Sequence, residues 1–216
     1  MKVLVLGASG MVGQGVLREC FAAPDVEEVV SIGRSAGGPP HPKLRQVVRE
    51  DLFDLPEADL GGFDACFFCL GTSAGGMSEV DYRRVTFDLT LGVARKLARL
   101  RPEMTFVYVS GAGTGGSAMW ARVKGETEAA LLALPFAACG MFRPGLIRPM
   151  GGVRSRTRSY RVIYTVLAPL LPALQALFPS AVTTTEIVGR AMLAFARRGT
   201  GHEVLEAPAI NALGRA

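Results

Sequence analysis

The stretch VLVLGASGMVG, residues 3–13, decides the fold, because an apolar run passes directly into glycines at positions 7, 10 and 13. The run predicts a buried strand at 3–7, and the amphipathic pattern after it predicts a helix near 12–23. Glycines here allow a tight turn and a close approach of a pyrophosphate to the helix N-terminus. A tight turn without a ligand is the alternative, but the position at the first strand–helix junction favours a dinucleotide site. The predicted contacts are Gly7, Ser9, Gly10, Met11, Val12 and Gly13.

Strand-like and helix-like segments alternate along the rest of the chain. Further strands are predicted at 27–33, 46–50, 64–71, 105–110, 136–143 and 202–205, and further helices at 78–100, 118–133 and 185–197. Apolar β-rich runs separated by helices are typical of a parallel sheet covered on both faces. The predicted fold class is α/β, a Rossmann-type doubly wound parallel sheet with a small C-terminal substrate-side cap. We predict a single domain, 1–216, with a cofactor-binding core at 1–147 and the cap at 148–216.

The composition indicates a soluble globular protein. Apolar residues make up 49% and charged residues 20% of the 216 residues, which suits one sizeable core. The N-terminal apolar run ends in a glycine turn without a small-residue cleavage site, so it predicts a strand and not a signal peptide. Four cysteines without an export signal predict reduced thiols and a cytoplasmic location. Cys66 and Cys69 lie in an apolar strand and are expected to be buried, and two histidines make a metal centre unexpected.

The chain carries a net charge of +5, and its basic residues are mostly scattered, except for a cluster in VRSRTRSYR, residues 153–161. The arginines of this segment are Arg154, Arg156, Arg158 and Arg161. We expect either a solvated loop or a mouth that attracts an anionic small-molecule substrate. No nucleic-acid-binding motif accompanies the segment, so no nucleic acid is expected as a partner. The apolar stretch 162–178 contains Pro169 and Pro172 and is short for a bilayer, so no membrane span is predicted, and the oligomeric state stays open.

The end of the predicted second strand differs from the pattern that binds NAD. An acidic residue there, about 20 residues beyond the glycines, would hold the ribose 2′-hydroxyl of NAD. This chain has Gly33-Arg34-Ser35 instead. A guanidinium pairs with a 2′-phosphate, which a carboxylate would repel. The sequence therefore predicts NADP(H) as the cofactor with Arg34 as its phosphate partner, and an ordinary surface charge is the alternative.

Several motifs together resemble one known family. They are GASGMVG (7–13), the Arg34 turn, Asp51-Leu52, CLGTS (69–73), VYVSGAG (107–113), VKGETEAAL (123–131), FRPGLI (142–147) and GHEVLEAPAINALG (201–214). Nearly from end to end, the chain resembles an atypical short-chain dehydrogenase/reductase. It is similar to the Tat-interacting-protein (oxidoreductase-like) group and to the small NAD(P)-dependent epimerase-like proteins around it.

This resemblance implies roles for single residues. Asp51 and Leu52 would hold the adenine, and Lys124 would hydrogen-bond the nicotinamide ribose. Ser110 matches the family's Ser that polarises the substrate. The remaining cofactor contacts implied are Leu70, Gly71 and Thr72 along the ribose and phosphates, and Pro144 to Ile147 past the carboxamide.

The chain departs from this family at Trp120, in MWARVKGETE (119–128), where the family has a Tyr four residues before the Lys. That Tyr gives its phenolic proton to a carbonyl as hydride arrives. Trp120 shares a helical face with Lys124, but an indole N–H is too weak an acid to yield its proton. We therefore expect an intact cofactor site without the standard proton relay. The catalytic set becomes Ser110, Lys124 and Trp120, and the substitute donors that stay open are Ser110, Ser73, Thr72, Tyr82, Tyr160 and Tyr164.

Three functions stay open from the sequence. The favoured one is an oxidoreductase or epimerase-like enzyme that uses NADP(H) on an unknown small substrate. The alternative is a catalytically silent NADP(H)-binding regulatory or interaction protein. A serine hydrolase is the third, because Gly71-Thr72-Ser73-Ala74-Gly75 matches G-x-S-x-G. It is the least favoured, because the chain is short for that fold and His202 is the one later histidine.

Overall fold

A parallel sheet of seven strands forms the centre of the computed structural model, which describes residues 1–151 and 181–216. The strands in these residues are β1 (Lys2–Leu6), β2 (Glu28–Gly33), β3 (Leu44–Val48), β4 (Ala65–Phe68), β5 (Thr105–Val109), β6 (Ala138–Arg143), β7 (Leu146–Arg148), β8 (Val182–Thr184) and β9 (Gly201–Glu206). The helices are α1 (Met11–Ala22), α2 (Glu79–Arg83), α3 (Leu89–Leu100), α4 (Met119–Leu132), α5 (Thr185–Arg198) and α6 (Ala207–Arg215). A 3-10 turn at Glu57–Asp59 precedes β4, and a π-helical turn at Arg84–Asp88 joins α2 to α3.

The order of the strands places a crevice next to β1. The sheet runs β3-β2-β1-β4-β5-β6-β9, and each neighbouring pair is parallel. The chain therefore winds first to one side of β1 and then to the other, and a crevice opens at such a switch point beside the carboxyl ends of the strands. The predicted fold class, an α/β Rossmann-type parallel sheet, is confirmed.

Side chains of β1 alternate between two apolar layers. Leu4 and Leu6 lie in the layer built with α3 and α4, whereas Val3 and Val5 lie in the layer built with α1 and α5. Because helices cover both faces, both sets of side chains are buried, which explains the unbroken apolar runs of the strands. Cys66 within β4 is buried as predicted, but Cys69, just beyond that strand, is only half-buried.

Part of the segment predicted as a cap belongs to the sheet itself. β9 pairs with β6 from Ala138↔Gly201 to Arg143↔Glu206, and α5 packs closely on α1. Residues 181–216 thus complete the sheet and one helix layer, which differs from the predicted division after residue 147. The Arg-rich segment, the apolar stretch, Tyr160 and Tyr164 lie outside the described residues. Among the described residues, no helix combines the length and apolar content needed to cross a membrane.

Candidate functional site

A cleft of about 330 Å³ opens at the carboxyl ends of β1, β2 and β4. Its lining residues are Gly7, Ala8, Ser9, Ser31, Ile32, Gly33, Arg34, Ser35, Leu52 and Leu70. Five of the residues predicted from the sequence therefore meet here, which are Gly7, Ser9, Arg34, Leu52 and Leu70. Sequence reasoning missed Ser31 and Ile32 as contacts, because strand residues are read first as core.

The glycines of the first turn have different physical roles. Gly7 has a φ of 87°, and a Cβ on it would lie 2.6 Å from the Leu70 backbone nitrogen. A Cβ on Gly13 would lie 2.2 Å from the Gly7 carbonyl oxygen. Gly10 has an ordinary φ of −80°, and its Cβ would meet only the Gly7 oxygen, at 3.3 Å. Gly7 and Gly13 are thus needed to build the turn, whereas Gly10 leaves space beside it.

The N-terminus of α1 is free to bind an anion. The N-cap Gly10 provides no side-chain cap, and the first turn of α1 contains no acidic residue. The first intrahelical bond runs from the Gln14 N–H to the Gly10 carbonyl, so the N–H groups of Met11, Val12 and Gly13 have no partner within the helix. Gln14 Nε2 also donates to the Ser9 carbonyl at 3.0 Å, which fixes the turn. This helix end therefore fits a pyrophosphate.

Arg34 lies at the rim of the cleft, directly after β2. It is exposed, and it has no ion-pair partner within residues 1–151 and 181–216. The loop after it rests on the glycine turn, because a Cβ on Gly37 would lie 2.8 Å from the Ser9 nitrogen. The Gly37 N–H donates to Gln46 Oε1 at 3.0 Å and holds that loop in place. The guanidinium is therefore available to a ligand in the cleft.

The other predicted cofactor contacts surround the same cleft. Leu52 is buried, whereas Asp51 is exposed and accepts the Phe53 N–H at 2.8 Å through Oδ1. Leu70 lines the cleft, and the next two residues, Gly71 and Thr72, are exposed. The adenine and phosphate positions implied by the family resemblance thus follow one edge of the sheet.

Ser110 follows β5, and its hydroxyl group is hydrogen-bonded to the hydroxyl group of Thr114. Its Oγ lies 2.9 Å from Thr114 Oγ1, and Thr114 Oγ1 donates to the Gly111 carbonyl at 2.8 Å. A hydroxyl has one proton, so Ser110 must be the donor in the bond that it shares with Thr114. Sequence reasoning missed Thr114, since no periodic pattern marks the loop that contains it.

Trp120 begins α4 and packs on this loop. Its six-membered ring lies beside Gly113, where a Cβ would come within 3.4 Å of Cη2. Gly113 has a φ of 84°, so a glycine suits this point by its backbone as well as by its space. The indole is half-buried against this loop.

Lys124 lies one turn further along α4, on the same face as Trp120. Its Nζ is 5.6 Å from the centre of the Tyr108 ring, and it has no carboxylate partner among the described residues. Burial of the ammonium lowers the pKa of Lys124 to about 8, and the negative charge of Glu128 opposes that fall. Glu128 itself is buried and accepts hydrogen bonds from Arg143, with Nε at 3.0 Å from Oε1.

Pro144 and Ile147 lie beyond β6, on the same edge of the sheet. The Pro144 carbonyl accepts the Ala112 N–H at 3.4 Å and links this segment to the loop after β5. Ile147 is buried in β7, which pairs in parallel with β8. Ser110, Pro144 and Ile147 thus lie at or beyond the carboxyl ends of β5 and β6.

The serine-hydrolase alternative lacks its geometry. Ser73 Oγ accepts the Gly75 N–H at 3.3 Å, and the next helix begins only at Glu79. No residue except glycine has a positive φ in the described chain, so Ser73 is not on a strained elbow. His202 lies at the amino end of β9, where its ring nitrogens contact the carbonyls of Leu132 and Phe136 at 2.9 and 2.8 Å. Ser73 follows the carboxyl end of β4, whereas His202 lies at the amino end of β9, so the two residues are at opposite ends of the parallel strands.

The parallel sheet, the glycine turn and the cleft at the switch point define a Rossmann-type protein. No family model matches the chain. Among curated proteins, fmp52 of Emericella nidulans is 31% identical over 181 residues, which cover 79% of this chain and 76% of that protein. FMP52 of Eremothecium gossypii is 33% identical, covering 68% of this chain and 66% of that protein. HTATIP2 of Rattus norvegicus is 31% identical, covering 68% and 62%.

The chain belongs to the family of these proteins, the Tat-interacting-protein-like group of atypical short-chain dehydrogenases/reductases. The predicted family is thereby confirmed. Solved structures with the same fold include MoeE5 in complex with UDP-glucuronic acid and NAD, with a TM-score of 0.72, 19% identity and coverage of 96% of this chain and 76% of that one. An oxidoreductase (short chain dehydrogenase/reductase family) from Burkholderia thailandensis has a TM-score of 0.68 and 17% identity, and covers 98% and 92%.

The predicted cytoplasmic location is wrong by this comparison. The relatives from Eremothecium gossypii, Scheffersomyces stipitis and Emericella nidulans are named as mitochondrial proteins. The prediction rested on cysteine chemistry and on the missing export signal. Neither property is specific to the cytoplasm, because they describe the thiols and one targeting route only.

Proposed function

We propose that the chain binds NADP(H) and acts as an oxidoreductase or epimerase-like enzyme on a small substrate. One observation supports it above the others: the cleft joins the N-terminus of α1, which has no side-chain cap, to Arg34 at the end of β2, which has no ion-pair partner within the described residues. An anionic dinucleotide with a 2′-phosphate carries negative charge at both of these positions.

The residues present fit such a cofactor. The N–H groups at the start of α1 would hold the pyrophosphate, and Gly10 leaves the space for its approach. Arg34 would pair with the 2′-phosphate, while Asp51 and Leu52 would enclose the adenine. Lys124 would hydrogen-bond the nicotinamide ribose, and the segment from Pro144 to Ile147 would pass the carboxamide.

A nicotinamide dinucleotide supplies hydride transfer to or from a carbon of the substrate when it is bound. The chain's own residues would orient that substrate. Ser110 presents its oxygen at the end of β5, since its proton is engaged with Thr114. Trp120 would form a wall beside the reacting carbon, because its indole already packs along the adjoining loop.

The cofactor assignment is tested by calorimetry with NADPH and NADH. The charge-assisted pair with Arg34 is expected to favour NADPH by about 1.5–3 kcal/mol, which is roughly 10- to 150-fold in affinity. Arg34→Ala is expected to abolish the preference without weakening NADH. Arg45→Ala is the matched control, because Arg45 is an exposed arginine outside the cleft that pairs with Glu28 at the surface. Equal affinities in the unaltered protein would contradict the assignment.

A catalytically silent NADP(H)-binding protein is the second candidate. It is favoured by the indole at position 120 and by the engaged proton of Ser110, since neither group is ready to donate a proton. NADPH consumption on a panel of aldehydes, quinones and 1,2-diketones separates the two candidates. Turnover above the buffer rate supports the enzyme, and bound NADPH without turnover supports the silent protein.

A further inference from the structure

We propose that the Lys124 ammonium is the proton donor of this site, in place of the phenol that Trp120 has displaced. The proposal rests on the reductase function proposed above. It deepens that function by naming the residue that donates the proton. In the family this donor is a Tyr at the position that Trp120 occupies here.

The hydroxyls near Lys124 are poor candidates for this role. The Ser110 proton is directed to Thr114, whose own proton is directed to the Gly111 carbonyl. Tyr82 is almost fully buried, with 2% of its surface exposed. Burial also raises the pKa of the Tyr108 phenol far above its ordinary value. None of these groups combines access to the site with a proton that leaves near neutral pH.

Among the described residues, the Lys124 ammonium has no carboxylate partner. The group one turn away that could neutralise it, Glu128, accepts both Nε and Nη hydrogen bonds from Arg143 instead. Arg143 Nη1 also donates to Glu206 at 3.0 Å, so the arginine is held by carboxylates on both sides. Within residues 1–151 and 181–216, the ammonium contacts the face of the Tyr108 ring. A half-buried ammonium without a carboxylate partner in this part of the chain loses its proton more readily, since removal from water disfavours the charged form.

The groups that face Lys124 from neighbouring elements set the direction of its titration. Tyr108 of β5 keeps its proton because burial raises its pKa, and Glu128 of α4 is paired with Arg143 of β6. Two ion pairs join α2 to α4 at the exposed surface, and they are Arg122–Glu79 and Arg83–Glu126. The loss of hydration outweighs the attraction of Glu128, so the pKa of Lys124 is lowered to about 8.

The proton transfer balances in the following way. The carbonyl oxygen of the substrate gains the π electron pair as hydride adds to the carbonyl carbon. An N–H bond of Lys124 breaks, an O–H bond forms, and the N–H pair stays on Nζ as a neutral amine. Solvent then returns a proton to Nζ. An amine of pKa about 8 is suited to this exchange, because a general acid works best with a pKa near the operating pH.

The test uses the full chain and the variant Lys124→Arg, which keeps the positive charge but cannot release a proton near neutral pH. Lys2→Arg is the matched control, since Lys2 is an exposed lysine on β1 away from the cleft. Both variants are expected to bind NADPH within a few-fold of the unaltered protein. Carbonyl reduction by Lys124→Arg is expected to fall by about 10²–10⁴-fold. In the unaltered protein the rate is expected to fall as pH rises through about 8, because the ammonium is lost there.

A second readout does not depend on activity. Lysines of the ligand-free protein are dimethylated with ¹³C-formaldehyde and titrated by NMR, and the signal missing in Lys124→Arg identifies Lys124. The Lys124 signal is expected to titrate near pH 8, well below the pKa of about 10.4 that is ordinary for an exposed lysine. Titration of Lys124 with the surface lysines, or full turnover by Lys124→Arg, overturns the proposal. Bound NADPH without turnover on the carbonyl panel also overturns it, whereas failure to bind NADPH refutes the proposed function itself.

Discussion

Single glycines decide whether the first turn folds and whether it binds. A Cβ at position 10 meets only the Gly7 oxygen, at 3.3 Å, whereas a Cβ at position 13 would lie 2.2 Å from it. Gly10→Ala is therefore expected to keep the melting temperature within about 3 °C. If the proposed pyrophosphate site is correct, the methyl group would occupy its space and reduce NADPH affinity at least tenfold.

Gly13→Ala is the companion variant. Unlike Gly10→Ala, it should lower the stability of the fold first and foremost. Its methyl group meets backbone that cannot move cheaply, so we expect a loss of about 1–3 kcal/mol in the free energy of unfolding. Melting followed by circular dichroism and NADPH calorimetry measure the two effects separately. Parallel loss of folding and binding in Gly10→Ala would show that the turn needs small residues for structure alone.

Residues fixed by the backbone could be predicted from the sequence, and residues fixed by their surroundings could not. The glycine turn and Arg34 are tied to the end of a strand, so their places follow once the strands are known. Thr114 depends on how the loop after β5 folds back, and no sequence pattern encodes that. For the same reason the sequence could not show that Glu128 pairs with Arg143 and that Lys124 has no carboxylate partner among the described residues.

At the scale of elements, α1 is held by a close approach to α5. A Cβ on Gly15 would lie 2.6 Å from Thr185 Cβ and 2.7 Å from its carbonyl oxygen. Gly15→Ala should therefore force the helices apart and lower the free energy of unfolding by about 1–3 kcal/mol. Gly92→Ala on α3 is the control, because nothing lies within 4 Å of its Cβ. Urea denaturation should show the control gaining about 0.5–1 kcal/mol, and a stabilised Gly15→Ala would refute the close packing.

Long periodic elements could be predicted, and short ones could not. The strand predicted at 105–110 and the helix predicted at 118–133 match β5 and α4 within two residues, because apolar spacing marks them throughout. β7 and β8 have three residues each, too few to show a period. The helix predicted at 78–100 is interrupted by the π-helical turn, which depends on packing against α4.

At the scale of the whole molecule, local sequence patterns do not reveal that the last strand completes the sheet. The segment after residue 147 loses the regular alternation, and this loss predicts a cap on the substrate side. β9 nevertheless pairs with β6 along its length, and α5 and α6 pack together against the same face as α1. A return to the sheet across a long insertion is a tertiary contact, and local periodicity does not report it.

This arrangement predicts that the described parts of the chain unfold as one unit. Phe195 of α5 is fully buried and meets Phe142 of β6 edge to face, with ring centres 6.0 Å apart. Phe195→Ala should cost about 3–5 kcal/mol, which corresponds to a fall of roughly 6–20 °C in Tm for a chain of this size. Phe53→Ala is the control, because Phe53 is 41% exposed.

Two probes test whether that loss is shared by the whole molecule. The fluorescence of Trp120, the one tryptophan of the sequence, reports on α4, which lies on the opposite face of the sheet from α5. Far-ultraviolet circular dichroism reports on all helices. If residues 181–216 belong to the same cooperative unit, both signals should move to lower temperature together in Phe195→Ala. A tryptophan transition that stays in place while the dichroism signal shifts or splits would establish a separately folding C-terminal unit and contradict the single domain predicted for residues 1–216.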